Sequence, residues 1–251
     1  MPQFSDDLFL GSAQTYMGTN TNSNLGDPSP MDIGVVPVGR IYVWDTVPAA
    51  KATNNLVTST TPTGAGSLTL AAGAGVTAVT LSSGSTAYQL DVPRAVAVTQ
   101  VTAGTARNFT VTGYDWYGQP MSELIVSVAG SAVNGKKAFY QITGITVSGA
   151  TTTAVTVGTT DILGSPVRIP NAGYVARAGW NDTLAEDAGT LVDAVATTPS
   201  TTTGDVRGTY VPSSACDGTK RLVMGVLLPA LAVGPNATRA GALGVNQNLV
   251  S

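Results

Sequence analysis

Tyr114, Trp116 and Tyr117 surround a single carboxylate, Asp115, in the stretch TVTGYDWYGQPMSE (residues 110–123). The chain as a whole is only 6% aromatic and 11% charged, so this is its densest concentration of reactive or contact-forming groups. Aromatic faces beside a carboxylate suit two tasks, stacking on a sugar ring or anchoring a protein partner. Asp115, Gly118 and Pro120 are also turn formers, and alternating apolar and polar runs flank them. The stretch therefore reads first as a hairpin tip, with Trp116 and Tyr117 presented on it as interface anchors. Trp44, within the apolar run IGVVPVGRIYVWDTV (residues 33–47), is the third candidate interface residue.

Several chemistries are excluded by composition. The chain has no histidine, so Ser-His-Asp and Cys-His nucleophile systems have no base, and the usual proton carrier near neutral pH is missing. Only two glutamates occur, Glu123 and Glu186, and apart from Asp6-Asp7 the aspartates stand singly, so no glycosidase pair can be named. One cysteine, Cys216, rules out an intrachain disulfide; without histidine it also rules out an ordinary zinc or copper site, and it reads as a small, partly buried thiol.

Two motifs invite a sharper reading and lose it in context. GSAVNGKK (residues 130–137) fits G-x-x-x-x-G-K, but Lys137 stands where a phosphate-binding loop needs a hydroxyl, and the β-branched, aromatic AFYQITGITV that follows is no helix. Asn134-Gly135 instead reads as a type I′ hairpin turn. NDTLAEDAGTLVD (residues 181–193) gathers Asp182, Glu186, Asp187 and Asp193, oxygen ligands that suit calcium, but without EF-hand spacing it reads as a solvated acidic face. The expectation is therefore no catalytic residue, no metal and no cofactor.

The elements that position these residues are β-strands. From about residue 65, short β-rich runs recur every 8–12 residues or so between Gly, Asn and Ser, the spacing of an antiparallel sandwich or barrel. They are residues 67–70, 77–81, 87–92, 95–101, 108–113, 121–128, 138–147 and 153–157. In the run at 108–113, Phe109 and Val111 alternate with Thr110 and Thr112, one face buried and the other wet. Residues 1–60 read as an extended arm with one or two strands, 61–180 as the β core, and 181–251 as a loop-rich region. That last region has room for a short helix at 181–196, one buried strand from Lys220, and an extended tail from about 230. The amino-terminal residues lack the basic and apolar segments of a signal peptide, and the most apolar run, residues 222–233, is too short to span a bilayer and is broken by Pro229. A formal charge of −3 gives no electrostatic footprint for nucleic acid, and there is no polybasic run for a membrane.

Four blocks, LDVPRAVAVT (90–99), NFTVTGYDWYGQPMSE (108–123), GKKAFYQITGITVSG (135–149) and VGTTDILGSPVRIP (157–170), resemble virion proteins of tailed bacteriophages and prophages. DVRGTYVPSSACDGTKRLVMGVLL (205–228) is similar to the closing portion of the same proteins. The resemblance implies a head-surface decoration, or cement, protein that clamps several major capsid subunits. Such a protein is non-enzymatic and assembles with copies of itself, a trimer being the first expectation. It is made in the host bacterial cytoplasm and resides on the capsid surface. A tail tube, adaptor or fibre-base protein is the alternative. A carbohydrate-binding surface protein using Trp44, Trp116 and Trp180 as stacking platforms is a third reading.

Overall fold

The computed structural model describes residues 3–12, 35–102, 104–181, 183–195, 199–227 and 247. Its strands, in chain order, are β1 (Gln3–Ser12), β2 (Val35–Thr46), β3 (Val57–Thr60), β4 (Gly66–Ser67), β5 (Val76–Thr80), β6 (Thr86–Gln100), β7 (Asn108–Tyr114), β8 (Pro120–Val126), β9 (Ala132–Asn134), β10 (Phe139–Val147), β11 (Val155–Gly164), β12 (Val175–Trp180), β13 (Thr190–Val192), β14 (Thr209–Val211) and β15 (Leu222–Leu227). All pairings are antiparallel among the described residues. A 4-stranded sheet runs β1-β2-β15-β12, and an 11-stranded sheet follows the path β13-β14-β11-β6-β10-β7-β8. That path does not return on itself, so the fold is open and sandwich-like rather than a closed barrel.

β6 organises the larger sheet. Its first half pairs with β5 (Val76↔Leu90 to Thr80↔Thr86) and its second half with β11 (Val155↔Gln100 to Leu163↔Arg94). Pro93 lies between these two partners, where its missing N–H removes no ladder bond. The sequence suggests a break there, with separate strands at 87–92 and 95–101; the chain instead runs on as one strand of 15 residues. Along another edge, β10 pairs with the first half of β6 and β9 with the second. Asn134-Gly135 is therefore not the expected hairpin turn. β9 and β10 follow one line along β6, interrupted by a bulge at residues 135–138, and Gly135 is not among the glycines with positive φ.

Two cores follow from this arrangement. The first lies within the folded-over large sheet and joins Val96 and Val98 of β6, Val155 and Val157 of β11, Phe109 and Val111 of β7, and Ile142 and Ile145 of β10. The alternation expected at 108–113 is present, with Phe109 and Val111 fully buried. The second core lies between the two sheets, where Tyr42, Trp44, Leu222, Met224 and Val226 of β2 and β15 meet Val92, Leu163 and Tyr210. Residues 41–60 thus belong to the body: Leu56 and Val57 are buried, and the arm reading of 1–60 can apply only upstream of them. Residues 13–34 and, apart from Gln247, the tail beyond residue 227 lie outside the described residues. The short helix expected at 181–196 is not formed; the described part holds turns and β13. Among the described residues the one helical element is a 3-10 turn at Ala172–Tyr174.

The segment after β2 crosses β11 at Gly158, where an added Cβ would lie 1.9 Å from the Ala52 carbonyl oxygen and 2.5 Å from the Thr53 carbonyl carbon. Asn55 fixes the crossing, its amide donating to the Thr159 hydroxyl at 2.9 Å and its oxygen accepting from the Thr159 N–H at 3.0 Å. Gly158→Ala is expected to cost upwards of about 2 kcal/mol, since backbone rather than a movable side chain must yield. Gly64→Ala, where no atom lies within 4 Å, is the matched control and should leave the urea midpoint nearly unchanged.

Candidate functional site: a buried charge network under the hairpin

β7 and β8 pair without interruption from Asn108↔Val126 to Tyr114↔Pro120, so residues 115–119 form the hairpin tip that the sequence indicates. Gly118 takes a φ of 75° there, which a side chain would resist. Asp115 does not face solvent: it is 1% exposed. One carboxylate oxygen accepts from the N–H groups of Tyr117 and Gln119, both at 2.8 Å, the local bonding typical of Asp in a turn. The other accepts from the Arg207 guanidinium at 2.9 Å. Arg207 also donates to the Ser165 carbonyl at 3.2 Å and lies 5.3 Å from the centre of the Tyr117 ring. The Tyr117 hydroxyl donates to the Pro166 carbonyl at 2.7 Å. The hairpin tip is thereby fastened to the segment after β11 and to the loop before β14.

β8 carries the next charge inward. Glu123 is 2% exposed, and its carboxylate accepts from the N–H of Lys136 at 2.5 Å and of Lys137 at 3.3 Å, plugging the bulge between β9 and β10. Gly135 makes room: a Cβ there would lie 2.5 Å from the Glu123 carboxylate, and its own N–H donates to the Val96 carbonyl at 2.7 Å. Burial pushes the Glu123 carboxyl up to about 7, against the pull of the two backbone donors and of Lys137. Burial likewise holds Lys137, which is 0% exposed, below the ordinary lysine range.

Asp205 closes the network. One oxygen accepts from the Ala138 N–H at 3.0 Å; the other accepts from the Arg207 N–H at 2.8 Å and from the Gln247 side-chain amide at 2.9 Å. Gln247, itself 0% exposed, accepts from the Val206 N–H at 3.3 Å through its amide oxygen, and its main-chain carbonyl takes the Lys137 ammonium. An acid raised and an amine lowered in one cluster is a pattern that also marks acid–base sites. Here both groups are sealed from solvent and bonded to backbone, and what the arrangement does is fasten four segments together.

The residues singled out from sequence are dispersed. Trp44 is 3% exposed within the second core, so neither ring face is available to a partner of the folded chain. Trp116 is half-buried and stacks on Tyr140, with ring centres 5.0 Å apart. Tyr117 is exposed at the tip, although its ring and hydroxyl are engaged as described. Trp180 donates to Asp187, which also accepts from Tyr210 at 2.5 Å and from Ser213, so this member of the acidic stretch ties three segments together. Glu186 and Asp193 are exposed and Asp182 lies outside the described residues; among the described residues no group of three or more acidic or cysteine side chains is placed to hold a metal. Cys216 is buried and free, and burial pushes its thiol up to about 12. Sequence reasoning missed Arg207, Asp205 and Gln247, whose partners lie 92, 67 and 110 residues away.

Arg207→Ala leaves the buried Asp115 carboxylate without its counter-charge and is expected to destabilise the chain by about 3–5 kcal/mol, read as a lower urea midpoint at unchanged slope. Glu123 generates a pH dependence of definite sign. Its folded pKa lies above the unfolded one, so the folded state holds more protons between about 4.5 and 7, and stability falls as pH rises through that window. Melting temperatures across this range should fall for the native chain and stay flatter for Glu123→Gln. Comparison with protein-family models, with curated proteins and with solved structures finds no match, so the site's geometry and the sequence resemblance carry the functional argument.

Proposed function

We propose that this chain is a non-enzymatic structural component of a bacteriophage particle, binding the outside of the capsid and stabilising it as a decoration or cement protein. Its partners in this reading are the major capsid protein and neighbouring copies of itself, a trimer being the working assumption. The observation that carries the proposal is the placement of the resembling blocks. LDVPRAVAVT lies on β6, NFTVTGYDWYGQPMSE spans β7, the tip and the first half of β8, and GKKAFYQITGITVSG holds the bulge and β10. VGTTDILGSPVRIP covers β11 and the Ser165 and Pro166 carbonyls, and the closing block brings Asp205, Arg207, β14 and β15. Asp115, Glu123, Lys137, Asp205 and Arg207 all fall inside these blocks. The likeness to virion proteins therefore takes in all of the fastening network except Gln247.

The use of the chain's outlying segments supports the same reading. β1 adds as an edge strand to β2, and Gln247 plugs into the interior, so outlying parts of the chain serve as connectors. Main-chain pairing and side-chain plugs of this kind also suit attachment to a neighbouring subunit. A sparsely charged surface with Leu184 94% exposed and Val126 and Val128 about half exposed favours contact with protein. The tail alternative shares all of these features. The sugar-binding alternative loses Trp44 to the core, while Trp180 is tied to Asp187.

Copy number separates head from tail. Quantitative mass spectrometry of purified particles should give a ratio to the major capsid subunit near unity; a handful of copies per particle would move the protein to the tail. Trp116 is the side chain to test for contact. Trp116→Ser should lower stability by only about 1 kcal/mol, the scale of a lost aromatic pair, while weakening capsid binding by tenfold or more. Unchanged binding would remove it from the interface.

A further inference from the structure

The pocket that receives Gln247 is a built recognition site for a carboxamide. Asp205 supplies an acceptor to the amide N–H group at 2.9 Å, the Val206 N–H supplies a donor to the amide oxygen at 3.3 Å, and Lys137 donates to the main-chain carbonyl of the same residue. This donor and acceptor pair matches glutamine: glutamate would set a second carboxylate against Asp205, and asparagine is a methylene too short to keep both contacts. Gln247 and Lys137 are 0% exposed and Asp205 is 3% exposed, so an empty pocket would leave an ammonium and a carboxylate buried without these partners. Such burial is unfavourable, which favours the occupied pocket in the stable state.

Nothing in those contacts requires that the glutamine come from the same chain. Residues 228–246 separate β15 from Gln247, and a segment of that length reaches up to about 60 Å when extended. A folded chain of this size has a radius of gyration of only about 18 Å, so the segment is long enough to reach the pocket of an adjacent molecule. Exchange of an identical segment between copies recreates every contact and is a low-cost route to assembly. We propose that the Lys137–Asp205–Val206 pocket binds Gln247 of a second copy of this chain, so that exchanged carboxy-terminal segments link neighbouring molecules. This deepens the self-association within the proposed function, but it is tested on purified protein without a capsid, so either idea can fail alone.

The full chain carrying Gln247→Ala has a vacated pocket, and a fluorescent peptide of residues 241–251 (GALGVNQNLVS) is the probe. Fluorescence anisotropy should show saturable binding to this variant. Binding to the native chain, whose pocket is filled, should be at least about tenfold weaker, and the peptide with glutamate in place of Gln247 should lose about a hundredfold through repulsion by Asp205. If the variant does not fold, the native chain answers the same question. Isotopically heavy and light copies mixed at high concentration should give mixed oligomers by native mass spectrometry, and excess peptide should disperse them. A folded variant that ignores the peptide, or binds the glutamate version equally, overturns the proposal. So does a native chain that stays monomeric at high concentration or forms oligomers insensitive to the peptide.

Discussion

The guanidinium of Arg94, fully buried at the middle of β6, ties the paired strands β6 and β11 to the segment that leaves β2. It donates to the Ala49 carbonyl at 3.1 Å, to the Thr160 carbonyl at 3.3 Å and to the Asp91 carboxylate at 2.6 Å. Asp91 in turn accepts from the Ala49 N–H at 2.6 Å. One side chain thus fixes the segment leaving β2, the middle of β11 and the middle of β6 itself. A buried cation is tolerated there because carbonyls and a carboxylate replace its water. Both cores depend on that junction: the first needs the two halves of β6 to wrap the same apolar interior, and the second rests on Val92 and Leu163 beside it.

The other buried charges follow the same logic. Regular strands satisfy their own backbone, so polar side chains are needed where pairing stops. Asp115 sits at a hairpin tip, Glu123 opposite a bulge, and Asp205 in the loop before β14, each accepting backbone N–H groups that no strand can reach. A chain with few charges has placed Arg94, Asp115, Glu123, Lys137, Asp205 and Arg207 inside, each hydrogen-bonded to main chain. This explains a composition that looks too neutral for a conventional soluble surface, since hydroxyls and amides are left to carry solvation.

Much of the architecture was legible because strand alternation is a local signal. Phe109 and Val111 announce a half-buried strand, and Asp115, Gly118 and Pro120 announce its turn. Errors arose where tertiary context overrode a local cue. Pro93 looks like a break but falls between two partners of β6, and Asn134-Gly135 looks like a turn but lies at a bulge shaped by the Glu123 carboxylate. Trp44 looked like a contact residue because nothing local shows that Met224 of β15 will pair beside it. The network itself was invisible for the same reason: Asp115 stands out in its aromatic stretch, but nothing near it in sequence points to Arg207, and only the path of the sheet brings the two together.

The position of Gln247 also sets a clock on biosynthesis. Lys137 leaves the ribosome 110 residues before the carbonyl that receives its ammonium. At about 5–20 residues per second, on the order of ten seconds pass before that carbonyl has been made. Through that interval the strands around β6 can assemble, but the Lys137 amine is still without this acceptor. A nascent chain stalled before residue 247 would therefore lack the carbonyl that receives this amine in the folded chain.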